Sequence, residues 1–150
     1  MSHQLHKSLT RILTAKGNPV GVGFLADKNL ILTCAHVIEQ AVGQKEEIQL
    51  DFPLLAPGDI LSGRISFRDD DEDIACIEIA DSPRDTRPAH LVQTEELWAH
   101  RFRAFGVPAG HDSGVWASGV LRDKNAQGWL HIEDTKTTGF AVQLGFSGSR

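Results

Sequence analysis

Short apolar runs, each closed off by Gly, Pro, Asp or Asn, recur through the first eighty residues and allow little except a β-rich fold. Leu9 to Ala15 is one run and Val20 to Ala26 a second, with a turn at Asp27-Lys28-Asn29. Leu30 to Cys34, Ile48 to Phe52, Gly63 to Phe67 and Ile74 to Ile79 follow. Several of these alternate apolar and polar residues, as half-buried strands do. Turn signals at this spacing predict a β-barrel or sandwich. The chain has 150 residues, enough for one domain or two closely packed halves. Its apolar content of 41% and charged content of 23% argue against disorder.

Residues 81–98 break the pattern. The stretch Asp81 to Pro88 holds two prolines and no large apolar side chain, and reads as a surface linker. Thr94 has the look of a helix N-cap, and a short helix is expected from Thr94 to His100. Strands resume at Arg101 to Phe105, Val115 to Leu121, Trp129 to Glu133 and Gly139 to Gln143. The expected organisation is a first half over residues 1–82, a linker over 83–98 and a second half over 99–150. Trp98, Trp116 and Trp129 are expected in the core.

Twenty acidic against fifteen basic residues give a net charge of −5, which disfavours nucleic acid as a partner. No apolar run approaches the ~18 residues of a membrane span. The N-terminus lacks the apolar segment of a secretion signal. The two cysteines, Cys34 and Cys76, each sit in an apolar run and suit a reducing cytoplasm. Cytoplasmic placement is the expectation.

Three segments carry chemistry: Leu32-Thr33-Cys34-Ala35-His36-Val37, Asp73-Ile74-Ala75-Cys76-Ile77 and Gly145-Phe146-Ser147-Gly148-Ser149. They supply a base, an acid that could orient it, and a hydroxyl between glycines. A serine hydroxyl is a weak nucleophile until an imidazole takes its proton, and the imidazole needs a carboxylate to hold its tautomer. Each residue alone has an ordinary explanation: a packed histidine, a solvated acidic loop over Asp69 to Asp73, a Gly-Ser turn. The acidic run lacks the spaced ligands and central glycine of an EF-hand. Cys34 competes as a nucleophile, but its place in a strand pattern favours a buried thiol. The other histidines, His3, His6, His90, His100, His111 and His131, show no metal-ligand spacing. No metal and no cofactor are expected. An α/β-hydrolase is excluded because its elbow is G-x-S-x-G and its serine precedes the acid and histidine.

In their order, these segments resemble the trypsin-like, chymotrypsin-fold serine peptidases. Gly21-Val22-Gly23-Phe24 followed by Thr33-Cys34-Ala35-His36 is similar to the family's G-x-G-F and T-x-A-H. Asp73-Ile74-Ala75 is similar to D-I-A, and Gly145 to Ser149 to G-x-S-G-S. His36 and Asp73 are 37 residues apart, and Asp73 and Ser147 are 74 apart. The resemblance implies an all-β fold of two barrels, the second apparently truncated at its C-terminal end. It implies Ser147 as nucleophile, His36 as base and then acid, and Asp73 as its orienter. It implies an oxyanion hole from the backbone N–H groups of Gly145 and Ser147, each donor worth about 3–4 kcal/mol of barrier. Protein or peptide substrates follow, cleaved through an acyl-enzyme.

The same resemblance marks departures. Ala141 stands where an acid commonly selects Lys or Arg substrates, so a small or apolar preference is expected. Arg150 replaces the usual proline after the serine motif, and Phe146 stands where zymogen activation needs an Asp. No proteolytic maturation is expected. The stretch Phe105 to Gly119 is similar to peptidase domains at the front of bacterial multidomain, STAND-type proteins linked to defence. That implies a regulated effector module with further domains or a regulatory partner. The competing reading is a protease-fold binding module that is catalytically idle.

Overall fold

The computed structural model describes residues 4–134. Nine strands and one α-helix are found among them. The first six strands are β1 (Leu9–Leu13), β2 (Pro19–Asp27), β3 (Leu30–Thr33), β4 (Glu47–Phe52), β5 (Ala56–Asp69) and β6 (Ile74–Ile79). They close into an antiparallel barrel of order β1-β2-β3-β6-β5-β4, with β4 pairing back onto β1. All six runs expected as strands from the sequence are strands of this barrel. The Gly63 to Phe67 run is only the middle of β5, whose fourteen residues bend through bulges near Phe52 and Phe67.

Burial alternates along β6, with Ala75, Ile77 and Ile79 inward and Ile74 and Glu78 outward. The inward set meets Ile12, Leu25, Ile31, Ile48, Leu50 and Phe52 in one core. Helix α1 (Ala35–Val42) follows β3 and adds Val37 and Ile38 to that core. The strand pattern of the sequence did not reveal this helix. Its apolar residues do recur at helical spacing, but Cys34 stands at the N-cap and gives no capping signal.

Residues 80–100 form neither helix nor strand. They lie against the barrel, where the Arg87 and Ala89 N–H groups donate to Lys7 O and Leu25 O. The helix expected at Thr94 to His100 is absent. The Ala99 N–H bonds Leu121 O, His100 O accepts from Leu121, and Ala99 has a φ of 62°. These backbone groups are committed to a neighbouring strand, and tertiary pairing overrides the local cap signal. Strands β7 (Arg101–Gly106), β8 (Val115–Lys124) and β9 (Leu130–Asp134) then make an antiparallel sheet. The segment expected as a strand at Gly139 to Gln143 lies outside the described residues.

Leu9 and Val22, on the outer face of the barrel, pack with Phe105 and Val107 and join the two sheets. Trp116 packs there, 5.2 Å from the Phe105 ring. Trp98 and Trp129 are instead 64% and 67% exposed, which corrects the expectation of three core tryptophans. Trp98 has the Arg122 guanidinium over its ring, an amphipathic surface contact that needs no core.

One buried ion pair crosses this junction. Arg11 on β1 donates through Nε (2.9 Å) and Nη2 to Asp51 on β4, which is fully buried and also accepts the Gly58 N–H. The remaining Arg11 nitrogen, Nη1, donates to Asp112 O in the β7–β8 loop at 2.7 Å. Removing one member of such a pair leaves a buried charge with too few partners. Arg11→Ala is therefore expected to lower stability by about 3–5 kcal/mol, read as a drop in the urea midpoint. A change within ~0.5 kcal/mol would show that the pair holds nothing together.

Candidate active site

The pairing of β3 with β6 builds the site. Thr33 lies opposite Ala75, so the chain leaving β3 and the chain entering β6 emerge side by side. His36 follows three residues after the first point and Asp73 sits just before β6. Asp73 has a φ of 57°, a left-handed conformation that Asp tolerates better than most residues. Its Oδ1 accepts the His36 backbone N–H at 2.9 Å. The same carboxylate lies 2.9 and 2.7 Å from His36 Nδ1. A carboxylate only accepts, so Nδ1 is the donor, and in the neutral imidazole the lone pair is then on Nε2. The result is an oriented imidazole at the rim of the barrel, with the His36 and Asp73 side chains 36% and 34% exposed.

Asp73 also does the work of a helix cap. Cys34 makes no side-chain cap hydrogen bond, and the Asp73 carboxylate meets an N–H of the first turn, where the helix dipole favours negative charge. Glu39 and the end of α1 are tied to the β5–β6 turn by Arg68. Its guanidinium donates to Glu39, to Asp70 and to Gly43 O at 2.8, 2.8 and 3.0 Å. The hydrogen bonds to Glu39 and Asp70 hold Arg68 above its ordinary pKa. Asp69 folds the turn by accepting the Asp71 and Glu72 N–H groups. The rest of the acidic run is thus a solvated, self-bonded turn, as expected, while Asp73 faces His36.

The Gly21-Val22-Gly23 motif also has a steric reason. A Cβ on Gly21 would lie 2.7 Å from both Val37 methyls, and one on Gly23 would lie 2.7 Å from Leu32 O. The glycines let α1 and β3 approach β2 closely enough to set His36 in place. Cys34 is half-buried at the helix start rather than inside β3. Its sulfur, a His36 nitrogen and an Asp73 oxygen lie within 4.8 Å of one another, the one potential metal-ligand group among the described residues. Cys76 lies on β6, where burial pushes its thiol pKa up. Ser147, Gly145 and Ala141 lie outside the described residues.

Residues 21–149 match the family described as trypsin-like peptidase domain, a stretch that takes in His36, Asp73 and Ser147. The chain belongs to this family. A serine endoprotease from Yersinia pestis has a similar structure, with a TM-score of 0.71 at 17% identity. The match covers 97% of this chain and 49% of that one, so this chain spans about half the length of that relative. At this identity the likeness establishes the fold, which is the chymotrypsin-like one: a closed six-stranded barrel followed by a smaller sheet. A search of curated proteins finds no match. Among the described residues, no helix of this family member is long and apolar enough to cross a membrane.

The close approach at Gly21 can be measured. Gly21→Ala is expected to cost about 1–3 kcal/mol through overpacking against Val37. Combined with Val37→Ala, the two losses should fall short of additivity, because the second change removes the clash. Strict additivity in a double-mutant cycle by urea unfolding would refute the steric account.

Proposed function

We infer that the protein is a serine endopeptidase that hydrolyses peptide bonds in protein substrates through His36, Asp73 and Ser147. The observation that carries this reading is the Asp73 carboxylate on His36 Nδ1, which selects the tautomer whose lone pair is on Nε2. In the proposed reaction Nε2 accepts the Ser147 proton as its oxygen attacks the carbonyl. Asp73 stabilises the imidazolium, and His36 returns the proton to the leaving amine. Water then attacks the acyl-enzyme by the same route. The Gly145 and Ser147 N–H groups would hold the oxyanion.

Family membership supports the reaction class. The sequence motif Gly145 to Ser149, inside the matched stretch, supports the nucleophile. Phe67 and Ile74 add support for peptide binding: they share an outer face of β5 and β6 beside Asp73 and are 52% and 45% exposed. We take residues 1–82 and 99–150 as the two halves that flank the cleft, joined by 83–98. A cytoplasmic setting and a regulated effector role within a larger bacterial protein complete the proposal, on the resemblance given above.

Fluorophosphonate labelling and peptide cleavage test the assignment. Ser147→Ala is expected to abolish labelling. Asp73→Asn should lower turnover by about 10⁴-fold by presenting the wrong tautomer. Retained labelling in Ser147→Ala would reject the nucleophile. Absence of labelling in the wild type would favour the idle binding module.

Cleavage preference follows from Ala141, which offers no carboxylate to a buried cation, and such a cation without a partner is costly. Profiling with a peptide library should give small or apolar residues before the scissile bond. Dominant cleavage after Arg would contradict it.

A further inference from the structure

The proposed peptide hydrolysis leaves Cys34 without a role, although it stands two residues before the base. Its Sγ, one His36 ring nitrogen and one Asp73 oxygen lie within 4.8 Å of one another, and all three residues are half-buried at the barrel rim. Two of the three are already held in place: His36 by the first turn of α1, and Asp73 by its own hydrogen bonds to that turn. Sulfur, imidazole and carboxylate form a donor set suited to zinc rather than to magnesium or calcium, which prefer oxygen.

We propose that Cys34, His36 and Asp73 bind a zinc ion that reversibly switches off the peptidase site. A tetrahedral zinc, with bonds of about 2.0–2.3 Å, holds its ligand atoms roughly 3.3–3.7 Å apart. Atoms at the 4.8 Å limit reach that spacing by closing in about an ångström, whereas the Asp73 oxygen, 2.7 Å from His36 Nδ1, moves away from the ring to make room for an ion there. Three protein ligands leave the fourth position to solvent. On binding, zinc forms a bond to the Cys34 sulfur, and the thiol proton passes to bulk water. No electron changes hands, and a chelator reverses the step.

Either mode of imidazole ligation silences the base. Zinc on Nε2 consumes the lone pair that would take the serine proton. Zinc on Nδ1 displaces the proton held by Asp73; that proton moves to Nε2, which then can no longer accept one. In both cases Asp73 turns its oxygen from the ring to the metal. The switch rests on the peptidase reading of the site, whereas metal binding does not.

The experiment uses the full chain with Zn²⁺, and with Co²⁺ as a spectroscopic probe. One ion per chain is expected, with a thiolate-to-cobalt charge-transfer band. Cys34→Ala and Cys34→Ser should each abolish that band and weaken binding by about tenfold or more, while Cys76→Ala keeps both. Zinc should suppress fluorophosphonate labelling of the wild type, and a chelator should restore it. Stoichiometric binding undiminished in both Cys34 variants, or no stoichiometric binding in the wild type, would overturn the site. Undiminished labelling of the zinc-loaded protein would overturn the switch. Absence of labelling in metal-free protein would overturn the peptidase reading and the switch with it, while the cobalt spectrum would still decide the site.

Discussion

One carboxylate receives two hydrogen bonds from one residue, and the local structure converges on that contact. Asp73 takes the backbone N–H and the ring N–H of His36. The first bond stabilises the start of α1, and the second fixes the imidazole tautomer. Both require Asp73 to sit at a left-handed turn at the mouth of β6. An unaided loop would not hold that conformation cheaply. The turn is therefore reinforced by Asp69 from within and by Arg68 from the side, and Arg68 reaches across to α1. Asp73 and His36 are thus secured to each other twice, once directly and once through the Arg68 guanidinium.

The barrel supplies the larger constraint. Closing six strands makes β3 and β6 neighbours although some forty residues separate them in the chain. Their register then places the segments that carry His36 and Asp73 at the same end without further adjustment. Glycines on β2 bring helix and strand close, and a filled interior of Ile, Leu and Phe side chains makes that geometry stiff. Arg11 and Asp51 extend the stiffness outward, because the same guanidinium that closes β1 on β4 also grips the β7–β8 loop.

What was legible in the sequence follows from where each signal resides. Barrel strands were legible because burial on one face imposes a two-residue period, and turn residues mark each end. The identities of His36 and Asp73 as partners were legible only through motif and order. Their contact depends on a long-range register that no local pattern encodes. Helix α1 was missed because its cap comes from Asp73, 39 residues beyond the N-cap Cys34, instead of from a local Ser, Thr, Asp or Asn. The false helix at Thr94 is the converse: a fair local cap whose neighbouring backbone groups bond to β8 instead. Trp98 and Trp129 failed for a related reason, since an indole can cover surface beside a cation as readily as it fills a core.

A cysteine at the N-cap has a consequence for how the site responds to perturbation. A serine or aspartate there would hold the first turn by itself, leaving Asp73 to the ring alone. With Cys34 making no such bond, the helix start leans on Asp73, so helix and imidazole share one anchor. Any event that draws the Asp73 carboxylate away acts on both at once: it loosens the turn that carries His36 and releases the ring within it. Sharing an anchor makes the competent arrangement cooperative, formed or lost as a unit. It places the thiol beside the one group whose displacement would undo that unit.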